Sequence, residues 1–341
     1  MSFGTDDRAY VIAEAGVNHN GSLDLARQLV LAAKEAGADA VKFQTFKADR
    51  VAQAGAPKAD YQLRNTDGAE SQIEMLRKLE LPAKMHVELI ALCREVGIEF
   101  LSTPYNEEDI DFLHSLGVRA FKLASIHCVE PHMLRHAART GRHLIVSTGM
   151  ADFAEVQQAV QAMRGVGHED FTLLQCTTNY PSRVEDANVR VIPTLRARLG
   201  CAVGYSDHTQ SDVSCIAAIA LGATMIEKHF TLDRTLPGPD HTSAAEPAEF
   251  AALVRKIRET EAALGSGAKK PCEAEIANTV NMRRSLVARR AIAKGETVSE
   301  ALLTCRRPAT GLSPLLIGEI TGRTAVADIP AGAQIARTML D

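Results

Sequence analysis

One unit recurs along the chain, and it limits the fold more than any other feature: a stretch with helical apolar spacing, a glycine, and a short apolar run ending in polar residues. Residues 25–36 have helical periodicity, Gly37 stands where a left-handed residue ends a helix, and 40–43 reads as a strand with Lys42, Gln44 and Thr45 at its end. The unit returns with Gly97, Gly117, Gly141, Gly167, Gly200 and Gly222, each preceding a run at 99–102, 119–123, 143–146, 171–174, 202–204 or 224–227. With 10–13 at the start, these runs make eight expected strands separated by helices. Such alternation gives a parallel sheet with right-handed crossovers. Eight units within residues 10–265 match a (β/α)8 TIM barrel with its site at the C-terminal strand ends. An open doubly wound sheet is the weaker alternative, because no GxGxxG turn follows the first strand.

The remaining segments fit around this barrel. The long insertion after the second strand, residues 45–81, lies on the catalytic face and reads as a lid or specificity element. Domain boundaries are expected at 1–265 for the barrel, 266–282 for a linker around Gly265, Gly267 and Pro271, and 283–341 for a small turn-rich domain. Composition supports a large core, with 46% apolar residues, and a net charge of −4 without a basic stripe excludes the usual nucleic-acid footprint. The longest apolar stretch, 215–226, is shorter than the ~20 residues of a bilayer span. No charged-then-apolar leader is recognised, so the expectation is a cytoplasmic protein without membrane association. The seven cysteines are scattered and contain no CxxC pair, as expected of reduced thiols. Cys128 and Cys176 fall beside the motifs below but are not read as nucleophiles.

The strand ends supply a polar rim. In order they give Glu14; Lys42 and Gln44; Ser102 and Thr103; Lys122 and Ser125; Ser147 and Thr148; Thr177, Thr178 and Tyr180; Ser206, Asp207 and His208; and Glu227, Lys228 and His229. Three lysines among hydroxyls suit a phosphate or carboxylate, and this is favoured over lysines that merely pair with barrel carboxylates. His208 and His229 end adjacent strands, ~4.8 Å apart, which places two imidazoles within reach of one metal ion. Two histidines do not close a structural zinc site, so an open site completed by water or substrate is expected. Spacing alone equally allows a hydrogen-bonded histidine pair. Asp240, in the loop after the last strand, is close enough in sequence to join this rim.

The runs AEAGVNHNG (13–21), AGADAVKFQ (36–44), FLSTP (100–104), FKLAS (121–125), STGM (147–150), YSDHT (205–209), IEKHFTLD (226–233) and GPDH (238–241) resemble, in order, the sialic acid synthase family. The resemblance implies a barrel plus an antifreeze-like (SAF) domain, and condensation of phosphoenolpyruvate with an N-acetylmannosamine-type amino sugar to a nine-carbon 2-keto acid and phosphate. It implies phosphoenolpyruvate binding by Lys42, Thr103, Lys122, Ser125 and Ser147, with Thr178 and Tyr180 nearby. It also implies a divalent metal on His208 and His229, commonly manganese, with Mg2+ or Co2+ as alternatives. Glu14, Gln44 and Asp240 match positions near the sugar. Members form domain-swapped homodimers, in which Arg307 would reach the partner's sugar site. Among these residues Glu14, Asp240 and His127 are the candidates for proton handling. His127 departs from the family pattern, which usually has a carboxylate there; His127 or Glu130 takes that role, or the sugar differs. The alternatives are a related synthase with a legionaminate or pseudaminate precursor, an eight-carbon-acid synthase, which the SAF-like tail disfavours, and a non-catalytic glycan-binding relative.

Overall fold

Eight parallel strands are found among residues 3–341, the part of the chain that the computed structural model describes. They are β1 (Tyr10–Gly16), β2 (Ala40–Thr45), β3 (Glu99–Pro104), β4 (Ala120–Leu123), β5 (His143–Ser147), β6 (Phe171–Cys176), β7 (Ala202–Asp207) and β8 (Met225–His229). The hydrogen-bonded order is β3-β2-β1-β8-β7-β6-β5-β4, and β4 lies beside β3, so the sheet forms a nearly closed barrel. The expected barrel is therefore present. Most strands run one to three residues further than the apolar pattern suggested. The reason is that the ladder is made by the backbone and continues through the polar residues at the strand ends, whichever way their side chains point.

The glycines of the repeat do what a missing Cβ allows. Gly97 (φ 72°) and Gly200 (φ 62°) end the helices Ala83–Val96 and Val191–Leu199 in the left-handed conformation, which reverses the chain into the next strand. Helix starts are capped: Asp152 Oδ1 accepts from the Glu155 amide at 2.9 Å, and Glu155 returns an acceptor to the Asp152 amide at 2.8 Å.

Strand alternation sorts the core into two layers. Outward residues such as Val11, Val41, Phe43, Leu144, Val146, Leu173 and Ile226 pack against the helices. Inward residues Tyr10, Ile12, Ala40, Leu101, Ala120, Ile145, Leu174 and Met225 fill the barrel. Gly204 has no room for a side chain there, since a Cβ would lie 2.5 Å from the Met225 carbonyl and 2.7 Å from Leu174. Above this apolar plug the inward positions turn polar, which is where the site begins.

The insertion after β2 forms three short helices, Ala48–Val51, Asp60–Asn65 and Gln72–Lys78. A buried lysine organises it: Lys58 Nζ donates to Thr66 Oγ1 at 3.0 Å and to the Asp67 carbonyl at 2.8 Å. Asn65 Nδ2 then donates to the Pro239 carbonyl and to Thr242 Oγ1, both at 2.8 Å, joining the insertion to the loop that carries Asp240.

The chain divides into compact units at 1–265 and 266–341. The second has its own core of Leu286, Ile292, Val298, Leu303, Ile320, Ile329 and Ile335 around a two-stranded antiparallel pair, Ser285–Ala288 with Leu303–Arg306. The stretch read as linker is partly helical, because Glu273–Asn281 forms a helix whose start is held by Glu275 accepting from the Cys272 amide at 3.0 Å. Among the described residues no helix is long and apolar enough to cross a membrane.

Candidate active site

The inward polar layer lines a cavity of about 240 Å³ at the C-terminal strand ends. Glu14, Lys42, Gln44, Thr103, Lys122, Ser125, Ser147, Tyr180, His208, His229 and Asp240, all expected from sequence, line it. A larger cavity of about 830 Å³ lies at the opposite strand ends beside Phe3, Tyr10 and Glu99. Four of its charged groups are paired off, in Arg8–Asp39 and Arg119–Glu99, and it lacks the convergent buried polar groups that mark the smaller one.

Two buried ion pairs span the layer. Lys42 Nζ lies 2.6 Å from Glu14 Oε2 and donates to Thr103 Oγ1 at 2.9 Å. Lys122 Nζ lies 3.4 Å from Glu227 Oε1, which also accepts from Ser206 Oγ at 3.0 Å. The expectation of lysines left over for anions thus needs correction: each already faces a carboxylate. Lys228 is a further correction. It points outward to Asp207 and does not line the cavity, so the anion-facing lysines number two among the described residues.

The carboxylates are not equivalent. Burial alone would raise Glu227, but Lys122, Lys42 and His229 overcome it and hold the group at about 2. Glu14 is raised, because burial and the Glu227 charge outweigh Lys42. Asp240 is pushed up to about 7 by burial and then by Glu14, against the pull of Lys42. Lys122 is lowered by burial and by Lys42 despite Glu227; one close carboxylate does not offset the loss of water plus a second cation. The layer therefore combines a firmly ionised carboxylate with two that hold protons more readily.

Beside the lysines, Ser147 Oγ is buried with no hydrogen-bond partner among the described residues. Ser125 Oγ accepts from the Gly149 amide at 3.0 Å. A Cβ on Gly149 would sit 2.3 Å from Thr178 Oγ1 and 2.8 Å from both Ser125 Oγ and Cys176 Sγ, so glycine leaves a small hydroxyl-lined cradle there. Thr178 is exposed and meets the site through this cradle.

The two histidines meet at the other side, with ring centroids 5.3 Å apart and Tyr180 over both, at 4.2 Å from His208 and 5.4 Å from His229. His208 Nδ1 donates to the Thr177 carbonyl at 2.6 Å, which fixes the tautomer and leaves Nε2 as a lone pair. Burial, first of all, lowers both imidazoles, His229 furthest because His208 adds to the effect. Two neutral imidazoles with free lone pairs suit a divalent ion. Among the described residues no group of three or more His, Cys, Asp or Glu is arranged around a metal. The donor set therefore fits an open site completed by water or substrate and not a closed one.

His127 is buried, and its Nδ1 meets Glu130 Oε2 at 2.8 Å. Its ring packs edge-on to Tyr105 at 5.9 Å; Tyr105 lines the cavity and His127 does not. Glu130 is likewise outside the lining set. Arg307 lies in the second unit, where its Nε donates to the Met282 carbonyl at 3.0 Å. Sequence reasoning placed Ser206 and Glu227 on the polar rim without a role and Cys176 beside the motifs, and it did not single out Tyr105, which also lines the cavity. For Ser206 and Glu227 the inward alternation of β7 and β8 was the available signal.

Comparison with known proteins agrees with this geometry. Residues 29–269 match the NeuB family model and residues 283–341 the SAF domain. An N,N'-diacetyllegionaminic acid synthase of Legionella pneumophila is 44% identical over 97% of this chain and 94% of its own. One of Campylobacter jejuni is 43% identical over 93% and 96%. The solved N-acetylneuraminic acid synthetase of Leptospira borgpetersenii superposes with a TM-score of 0.72 at 32% identity, covering 81% of this chain and 91% of that one. With a barrel, a polar layer and two matched domains in the same order, the chain belongs to the NeuB family of sialic, legionaminic and pseudaminic acid synthases.

Proposed function

We propose that the chain condenses phosphoenolpyruvate with an N-acetylated amino sugar, giving a nine-carbon 2-keto acid and phosphate. The observation that carries this reading is the convergence of two lysines, several hydroxyls and two neutral imidazoles on one cavity. Lys42 and Lys122 hold the phosphate and carboxylate of phosphoenolpyruvate, sharing their charge between the ligand and Glu14 or Glu227. Thr103, Ser125, Ser147 and Thr178 donate to its anionic oxygens. Carbon 3 attacks the aldehyde carbon of the open-chain sugar, and Asp240, protonated for much of the time near pH 7, hands a proton to the aldehyde oxygen. Water adds at carbon 2, and phosphate leaves with cleavage of its C–O bond to that carbon. Glu14 and Gln44, linked at 3.4 Å, orient sugar hydroxyls. A divalent ion held by His208 and His229, manganese or otherwise magnesium or cobalt, would polarise the aldehyde carbonyl.

The sequence resemblance implies an N-acetylmannosamine-type sugar. The two relatives at 44% and 43% identity, both named for an N,N'-diacetyl product, support a hexose with two acetamido groups instead. Phosphate release measured with phosphoenolpyruvate and a panel of mono- and diacetamido hexoses tests this. The diacetamido sugar is expected to give the highest kcat/KM, and preference for N-acetylmannosamine would reverse the assignment. His208→Ala is expected to abolish metal-dependent release, and unchanged release would remove the metal from the reading. We also infer a homodimer in which Arg307 reaches the partner's sugar site. Light scattering tests the dimer, and Arg307→Ala should raise KM for the sugar alone.

A further inference from the structure

We infer that the buried Asp207–Lys228 ion pair is a clamp that fixes the separation of His208 and His229, making both positioning residues for the metal edge. This rests on the metal reading above.

The last residues paired between β7 and β8 are Asp207 and Lys228. Alternation turns Glu227 and His229 into the barrel and Lys228 out of it. Other outward positions in the barrel wall, such as Phe43, Val146 and Leu173, are apolar, so charges here are an exception. Lys228 Nζ meets Asp207 Oδ2 at 2.5 Å and donates to the Thr209 carbonyl at 2.7 Å. Asp207 Oδ1 accepts from the Thr209 amide at 3.0 Å. The residues on both sides of His208 are therefore tied to the cation that directly precedes His229.

The clamp is closed to water, with side-chain exposures of 0% for Asp207 and 6% for Lys228. Tyr205 OH at 3.1 Å, Cys215 Sγ at 3.3 Å and Thr209 Oγ1 at 3.3 Å also donate to the carboxylate. A buried ion pair adds little stability over an apolar pair of similar volume, so its specific geometry is the better account of its presence. With His208 also held by Thr177, the imidazole that follows β7 is fixed relative to that of β8 before any ion arrives.

The test is Mn2+ titration of the full-length protein, read as loss of the free-ion paramagnetic resonance signal, alongside steady-state kinetics. Wild type is expected to bind the ion and His208→Ala to lose it. Lys228→Met is expected to weaken Mn2+ binding on the order of tenfold, the range found for groups that orient metal ligands. It should also lower kcat while leaving KM for phosphoenolpyruvate unchanged, and Lys228→Arg, which restores a cation opposite Asp207, should recover part of the affinity. Wild-type Mn2+ affinity in Lys228→Met overturns the clamp. If that variant unfolds, the same result in Asp207→Asn/Lys228→Met, which leaves no charge unpaired, overturns it equally. Failure of the metal reading looks different: wild type takes up no Mn2+, or His208→Ala binds as tightly as wild type.

Discussion

Glu227→Gln removes one charge from the barrel mouth while keeping the side-chain volume and an acceptor for Ser206. A carboxyl held at about 2, against an ordinary 4.5, favours the folded state by about 3 kcal/mol once ionised in both states, at about 1.4 kcal/mol per pH unit. Because the folded-state value is depressed, this stabilisation is fully present above pH 4.5 and is lost as the pH falls through 2. The variant should therefore unfold at lower denaturant concentration than wild type at pH 7, and the difference should shrink steadily between pH 4.5 and 2. The pair is buried, with 4% and 5% side-chain exposure, so 1 M salt should leave the pH 7 difference nearly intact. Urea titrations followed by far-UV circular dichroism, with the slope checked for constancy, give the numbers. Equal midpoints at pH 7, or a difference that persists at pH 2, would refute the reasoning.

Asp240 makes the opposite prediction. Its folded-state value, about 7, lies above the ordinary 3.8, so its ionisation opposes folding as the pH rises from 3.8 to 7, and Asp240→Asn should raise Tm at pH 8 but not at pH 3.5. The same variant should lose the limb of kcat/KM that falls with rising pH near 7. Gly149→Ala fills the cradle beside Ser125 and Thr178, and should raise KM for phosphoenolpyruvate with the fold intact by circular dichroism. Gly204→Ala drives a methyl onto the Met225 carbonyl inside the barrel, and thermal melts should show a loss of about 1–3 kcal/mol. His127→Gln should lower kcat less than tenfold, since Tyr105 and not His127 lines the cavity; a loss near the ~10²–10⁴ of a proton-transfer group would place it in the chemistry.

The barrel was legible because its signals are local. Gly37, Gly97, Gly117, Gly141, Gly167, Gly200 and Gly222 all adopt positive φ, the conformation that made each glycine informative in the sequence. The apolar runs between them were visible for the same reason: Val41, Phe43 and Phe100 face helices whichever register the sheet adopts. Strand ends were misplaced where this signal stops. Gln44 and Thr45 lie beyond the expected 40–43, yet both belong to β2, because the ladder with β3 continues to Thr45 and Pro104 whichever face a polar side chain takes. The helix Glu273–Asn281 was missed for a related reason: none of its residues is buried, and its apolar side chains, Ile276 and Val280 among them, are too few and too exposed to set it apart from a linker.

The site was legible as a set of residue types but not as a set of partners. Asp207 and His208, or Lys228 and His229, look alike as neighbours at a strand end, and only alternation counted from the inward Met225 separates His229 from Lys228. Counting that way along β8 would have left two lysines for the anion instead of three. The pairing of those two had different visibility. Glu14 and Lys42 sit opposite one another on adjacent strands, so a parallel register beginning near Ile12 and Ala40 already brings them together. Lys122 and Glu227 come from β4 and β8, which are separated in the sheet order by β5, β6 and β7, and meet only because the barrel closes. No local pattern contains that contact. The carboxylate that the lysines hold most firmly ionised is thus a product of closure, and the same closure turns a neutral-looking list of rim residues into a cavity with one fixed negative group and two adjustable ones.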